Sequence, residues 1–149
     1  MISITISAPQ LEEIRQAFKQ APLKLTMGIG KAINRIIVKV EGDAKRLAPV
    51  NKRSGGGTLR QSIRSGMTGI ASGRVEVGAK YGVFVHEGTR PHIIRIRFKR
   101  VLADKRSGQI FGTVVNHPGT RANPFLQKAV DNNKGFIEQE FREVLKSII

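Results

Sequence analysis

Ile94-Arg-Ile-Arg-Phe-Lys99 alternates apolar and cationic side chains without a break. Successive side chains of a strand point to opposite faces. This period of two therefore reads as an amphipathic strand, with Ile94, Ile96 and Phe98 on one face and Arg95, Arg97 and Lys99 on the other. Gln109 to Asn116 reads as the return strand, and Asp104-Lys-Arg-Ser-Gly108 between them as the turn. Residues 92 to 117 together predict a long β-hairpin with a basic face.

Upstream of the hairpin, Arg74 to Gly78 alternates through Val75 and Val77, and Ile2, Ile4 and Ile6 alternate with Ser3, Thr5 and Ser7. Both read as strands with one buried face. Tyr81 to Glu87 is a short apolar segment that suits helix or strand, and Thr58 to Arg64 suits a helical turn or a strand start. Residues 9 to 20 predict a short helix carrying Leu11, Ile14 and Phe18 on one side.

Pro22 suits the first turn of a second helix. Along it, Ile29, Ile33, Ile36, Val40, Ala44 and Leu47 recur at spacings of three and four, one apolar stripe of a long amphipathic helix that stops before Pro49. Gly28 and Gly30 each cost a helix up to about 1 kcal/mol and weaken its first turns. Val50 to Thr58, with three consecutive glycines, has no apolar period and reads as a loop ordered by a partner. Leu126, Ala129, Ile137, Phe141, Val144 and Ile148 predict one C-terminal helix that starts near Pro124, is capped by Asn123 and is weakened at Gly135. Phe84, Phe125 and Leu126 are expected in the core, with Tyr81, Phe84 and Val85 beneath that helix.

These elements predict a single α+β domain over residues 1–149. A small, mostly antiparallel sheet is packed by the long central helix and the C-terminal helix, and the basic hairpin projects or lies at an edge. The chain has no cysteine, which removes disulfides and thiolate metal sites and fits a reducing compartment. Neither a secretory signal nor an apolar run of about 20 residues is visible, so a soluble protein without membrane contact is expected.

The 149 residues carry 26 Lys and Arg against 11 Asp and Glu, a formal net charge of +15. The excess sits in the middle of the chain: from Lys45 to Arg121 the only acids are Glu76, Glu87 and Asp104. Such a balance attracts polyanions or acidic proteins. One Tyr, no Trp and seven Phe supply a base-stacking platform poorly.

Patterns that carry catalysis are missing. Gly28-Ile-Gly30-Lys31 resembles part of a phosphate loop, but Leu25 stands where its first glycine belongs and Ala32 where Ser or Thr belongs. His86-Glu87 begins like a zinc-protease motif, but position 90 is Arg, not the second His. No clustered carboxylates mark the basic region as a metal-dependent nuclease. The expectation is a protein without catalytic residues, metal or cofactor.

Three stretches stand out in order: Ala44-Lys-Arg-Leu-Ala-Pro-Val50 followed by Gly57-Thr-Leu-Arg-Gln-Ser-Ile63; Lys80-Tyr-Gly-Val-Phe-Val-His-Glu-Gly-Thr-Arg-Pro91; and His117-Pro-Gly-Thr-Arg-Ala-Asn-Pro-Phe-Leu-Gln-Lys-Ala129. Gly88 and Gly119 are natural places for left-handed turns. Over residues 30 to 140 the chain resembles the tail-completion, or head–tail joining, proteins of long-tailed bacteriophages, also called minor tail or neck proteins. That family shows a helix ending in Ala-Pro, then Gly-x-Leu-Arg-x-Ser-Ile, a Val-Glu-x-Gly-Thr segment and a Pro-Phe-Leu segment opening the last helix. This chain departs from it at His86, where an apolar residue is commoner, and in its long basic loop before Thr58.

The resemblance implies a structural virion protein, assembled in the host cytoplasm into an oligomeric ring, commonly of six copies, around the DNA passage. Its partners would be tail-tube and head-connector proteins. On this reading Glu87, Thr89, Arg90, Arg95, Arg97 and Lys99 are candidates for subunit or partner contact, with Glu87 in a salt bridge to a nearby Arg within or between subunits. Lys52, Arg53, Arg100, Lys105 and Arg106 are candidates for contact with DNA in the lumen or with an acidic partner. The alternatives are a basic nucleic-acid-binding protein and, less favoured, a phage nuclease or lysis enzyme.

Overall fold

In a computed structural model of the chain, described for residues 2–6, 23–50, 56–96, 102–103 and 108–146, helices and small antiparallel sheets combine in an α+β fold. Its elements are β1 (Ile2–Ile6), α1 (Leu23–Leu47), α2 (Thr58–Ser62), β2 (Ile63–Gly69), β3 (Ser72–Val77), α3 (Gly82–Glu87), β4 (His92–Arg95), β5 (Leu102–Ala103), β6 (Ile110–Gly112), β7 (Val114–His117), α4 (Phe125–Asn132) and α5 (Lys134–Lys146). The chain forms two compact units, Met1–Val83 with Pro124–Ile149, and Phe84–Asn123. The expected helix at 9–20, the expected turn at 104–107 and residues 51–55 of the expected loop lie outside the described residues.

The first unit holds every fully buried apolar side chain among the described residues. Its sheet has the order β1-β3-β2, antiparallel throughout, with Ile2 to Ile6 paired against Val77 to Gly73. Val75 and Val77 point inward from the central strand, while Arg74 and Glu76 point outward and pair at 3.2 Å. Against this sheet lies α1, whose Ile33, Ile36, Val40 and Ala44 are buried as the stripe predicts; Ile29 and Leu47 at its ends are half-buried.

The first turns of α1 are intact despite their glycines, for a reason the sequence does not disclose. A Cβ on Gly30 would stand 2.5 Å from the Ile70 carbonyl oxygen, so a side chain there would force the β2–β3 turn away. Thr58 to Arg64, read as a helical turn or a strand start, is both, with α2 ending at Ser62 and β2 beginning at Ile63; the run of β2 on to Gly69 was not predicted. Ile63-Arg-Ser-Gly-Met-Thr-Gly69 has one buried residue, Ile63, and owes its form to the ladder with β3.

The C-terminal segment is two helices, not the single helix predicted. The break falls at Asn133, and Gly135 lies within α5. Asn133 is buried, and its side-chain amide donates to Asp43 Oδ2 at 2.6 Å and to the Ala129 carbonyl at 2.7 Å. Asp43 of α1 also pairs with Arg46 and, at 3.7 Å, with Lys39. The interruption therefore brings a polar side chain down onto a buried carboxylate of α1. Pro124 holds the cap position of α4, one residue after the expected Asn123. Phe125, Leu126 and Ala129 are fully buried, in line with the predicted core placement of the first two.

The second unit contains the hairpin. His92 to Arg95 pair with His117 to Val114, and further out Leu102 and Ala103 pair with Gly112 and Ile110. The Ile96 amide donates to the Thr113 carbonyl at 3.3 Å and extends the first ladder. The predicted return strand is thus present, interrupted at Thr113. Among residues 84–96 and 108–123 of this unit none is fully buried.

Candidate assembly surface

The first of the three motifs has a structural role. Leu59 and Ile63 of Gly57-Thr-Leu-Arg-Gln-Ser-Ile63 are buried, as are Ala44 and Ala48 at the end of α1. Between them Arg60 reaches back: its Nε donates to the Ala48 carbonyl at 3.0 Å and a terminal nitrogen donates to the Arg46 carbonyl at 3.3 Å. A helix leaves its last carbonyls unpaired and partly negative, so a guanidinium there is favourable. Ser62 Oγ donates to the Leu59 carbonyl at 2.8 Å and closes the short α2 turn. Glu41, on another side of α1, accepts the Ser65 amide at 2.7 Å, the Ser65 hydroxyl and the Lys45 ammonium. Burial alone would raise its pKa, but these hydrogen bonds outweigh burial and hold it below the ordinary carboxylate range.

The second and third motifs meet each other within the second unit. Thr89 and Thr120 exchange two backbone hydrogen bonds, at 2.9 and 3.1 Å. Asn123 donates its amide to the Val85 carbonyl at 3.0 Å. Gly88 and Gly119 sit on either side of this junction with φ of +76° and +88°, the left-handed turns the sequence suggests. A Cβ on Gly119 would lie 2.3 Å from the Thr89 carbonyl oxygen, and one on Gly88 2.5 Å from that of Thr120. The two strands of chain cross there too closely for any side chain. The same junction holds the foot of the hairpin, where His92 and His117 stack.

On the hairpin, His92 and Ile94 share a face with Val115 and His117, while Ile93 and Arg95 share the other with Asn116 and Val114. The second face is not purely basic, as the alternation suggested. Ile93 is 56% exposed and Val114 51%, and Arg95 stands between them in register with Val114. Further along, Ile110 and Phe111 are also exposed. A signal for this exists in the sequence: Ile93-Ile94 and Ile110-Phe111 are consecutive apolar pairs, and in a strand one member of each must face away from the other. Phe84 and Tyr81, expected in the core, are 58% and 46% exposed.

Of the predicted contact residues, Glu87, Arg90 and Arg95 are exposed. Thr89 is half-buried, with a buried hydroxyl that has no hydrogen-bond partner among the described residues. Arg97, Lys99, Lys52, Arg53, Arg100, Lys105 and Arg106 lie outside the described residues. The expected salt bridge of Glu87 is not formed with any described residue. Burial holds the neighbouring His86 below the ordinary imidazole range, and the Glu87 charge opposes this only in part.

Gly28-Ile-Gly30-Lys31 lies inside α1 and makes no phosphate-binding loop. No three His, Asp or Glu gather as a metal-ligand cluster among the described residues, and no described helix is long and apolar enough to cross a membrane. No protein-family model, curated protein or solved structure matches this chain.

Proposed function

We propose that the protein is a non-catalytic structural component of a bacteriophage virion, which completes the tail or joins it to the head as an oligomeric ring of six copies around the DNA passage. The observation that carries this reading is the incompleteness of Phe84–Asn123. Leu102 and Ala103 aside, none of its described residues is fully buried, while Phe84, Ile93, Ile110, Phe111 and Val114 are exposed. A unit of about 40 residues rarely holds itself together without disulfides, a metal or a neighbouring subunit, and a two-stranded ribbon is marginal in water. A neighbour that covers the outer hairpin face supplies the missing core. The order of the three motifs supports the same reading, as does the family they resemble.

Charge chooses the kind of contact. Phe84–Asn123 carries eight Lys or Arg and two acids, so two hairpins face to face would repel. A ring uses a heterologous contact, one patch against a different one. Pro124–Ile149 has four acids and four bases, and there α5 exposes Glu138, Glu143 and Leu145. That surface suits an arginine flanked by apolar side chains.

The test is genetic and visual. Particles made without the protein are expected in negative stain as unjoined heads and tails or as tails of aberrant length, and the Ile93→Ser/Val114→Ser chain should fold yet fail to restore them. Normal particles in its absence would sink the proposal. The net charge favours one second reading, free binding to duplex DNA. Its mark would be tight binding by the isolated chain that weakens by about 0.9 log unit per log unit of salt for each phosphate contacted.

A further inference from the structure

We infer that Arg90 and Arg121 form a paired cationic site that takes the phosphodiester backbone of DNA without reading its sequence. The pair arises from a short repeat: His-x-Gly-Thr-Arg stands at residues 86–90 and again at residues 117–121. The two copies meet antiparallel, because Thr89 and Thr120 exchange backbone hydrogen bonds at 2.9 and 3.1 Å.

The junction is close to two-fold symmetric. Gly88 and Gly119 both have left-handed φ, +76° and +88°. A Cβ on Gly119 would meet the Thr89 carbonyl oxygen at 2.3 Å and the Pro91 nitrogen at 3.1 Å. One on Gly88 would meet the equivalent atoms, the Thr120 carbonyl oxygen at 2.5 Å and the Ala122 nitrogen at 2.8 Å. Each triplet therefore seats the other in the same way.

This arrangement fixes where the arginines go. Directly paired residues of two antiparallel strands project to one face, and the residues next to them project to the other. Thr89 and Thr120 share one face, so Arg90 and Arg121 share the opposite one. Gly119 lies across from Arg90, and Gly88 across from Arg121. No side chain thus stands opposite either arginine. The two are diagonal neighbours, a relation that spans about 7–8 Å between the strands and leaves long side chains within reach of one ligand. Both are exposed, and neither makes an ion pair with any described residue.

The ligand follows from charge and from what the face lacks. A guanidinium matches carboxylate or phosphate oxygens with parallel N–H bonds. Phe84–Asn123 carries eight Lys or Arg against two acids, and such a field favours a polyanion over a single carboxylate. The Gly-Thr-Arg triplets offer no aromatic ring for stacking, so contact is to the backbone and not to bases. The inference goes beyond the assembly reading and does not rest on it, because its test needs only the isolated chain.

Fluorescence anisotropy of a short labelled duplex, titrated with the full chain between about 50 and 200 mM sodium chloride, counts phosphate contacts as the slope of log affinity against log salt. Arg90→Ala/Arg121→Ala should reduce that slope by about 1.8, two contacts at about 0.9 each, whatever the base sequence. Arg64→Ala/Arg142→Ala removes equal charge from exposed positions of the other unit and should change the slope by less than about 0.5. Arg90→Lys/Arg121→Lys keeps both charges and should keep the slope. Should the alanine pair not fold, amide NMR of the unaltered chain decides: added duplex should move the signals of Gly88–Arg90 and Gly119–Arg121 most. No binding by the parent at the lowest salt, a parental slope in the folded alanine pair, an equal loss in the Arg64/Arg142 pair, a lysine pair with the slope of the alanine pair, or amide shifts centred elsewhere would each overturn the inference. A folded alanine pair that keeps the parental slope but no longer joins heads to tails would assign the two arginines to an acidic protein neighbour instead.

Discussion

Gly30 and Gly42 show how the same residue in the same helix answers to different causes. A Cβ at position 30 would meet a backbone carbonyl at 2.5 Å, whereas one at position 42 would meet nothing within 4 Å. Gly30→Ala should therefore cost about 1–3 kcal/mol through displacement of the β2–β3 turn. Gly42→Ala, on an exposed helical surface, should gain about 0.5–1 kcal/mol. Urea unfolding of the two variants should show opposite signs, and equal signs would refute the assignment. The sequence marked Gly28 and Gly30 only as helix weaknesses, because the turn that fills the space lies forty residues on. Arg60 was equally illegible: a motif shows that arginine recurs, not that it closes a helix twelve residues upstream. Glu41 carries a pH signature. Because its folded pKa lies below the ordinary carboxylate range, it adds stability above that range, and the contribution is lost as pH falls through the folded value. Glu41→Gln should weaken the fold by about 1–2 kcal/mol at neutral pH. The variant should also lose less stability than the parent between neutral pH and acid, as read from urea midpoints at each pH.

Elements were legible where periodicity was strong and hidden where a partner created them. The stripe of α1 and the alternation of β3 announced themselves, since burial of one face is written into every third, fourth or second residue. In β2 every residue after Ile63 is polar, glycine or the exposed Met67, and the strand exists because β3 offers it a ladder. Propensity marked only a weak point at Gly135 in one continuous helix, but tertiary bonding breaks the segment at Asn133. There one side chain ties α4 to α1 through Ala129 and Asp43. Asn133→Ala leaves the Asp43 carboxylate short of a buried donor and should cost about 2–3 kcal/mol. Paired with Asp43→Ala, the loss should be less than the sum of the two single losses, because the second change removes a group already deprived of its partner. Strict additivity in a denaturation cycle would show that the break has another cause.

Across the whole molecule, carboxylates are the scarce component, and the fold has already committed most of them. Glu41, Asp43, Glu76, Asp131, Glu140 and Glu143 each pair with a cation of the chain; Glu87 and Glu138 form no ion pair with any described residue. Arg90, Arg95 and Arg121 in turn make no ion pair with any described residue. Composition revealed this excess at once; which cations remain available needed the structure. A molecule of net charge +15 repels itself in its compact state, and salt screens that repulsion over a Debye length of about 10 Å at 0.1 M. Its thermal midpoint should therefore rise as sodium chloride is raised from low to moderate concentration. Arg95→Glu lowers the charge excess without touching a buried contact, so stability should stay within about 0.5 kcal/mol of the parent or improve. In the assembly reading, the same change should abolish joining of heads to tails, because it reverses the charge between Ile93 and Val114 on the face a neighbour covers. A variant that folds normally and still restores whole particles would remove the hairpin face from the interface, and the exposed apolar residues around Arg95 would then need another explanation.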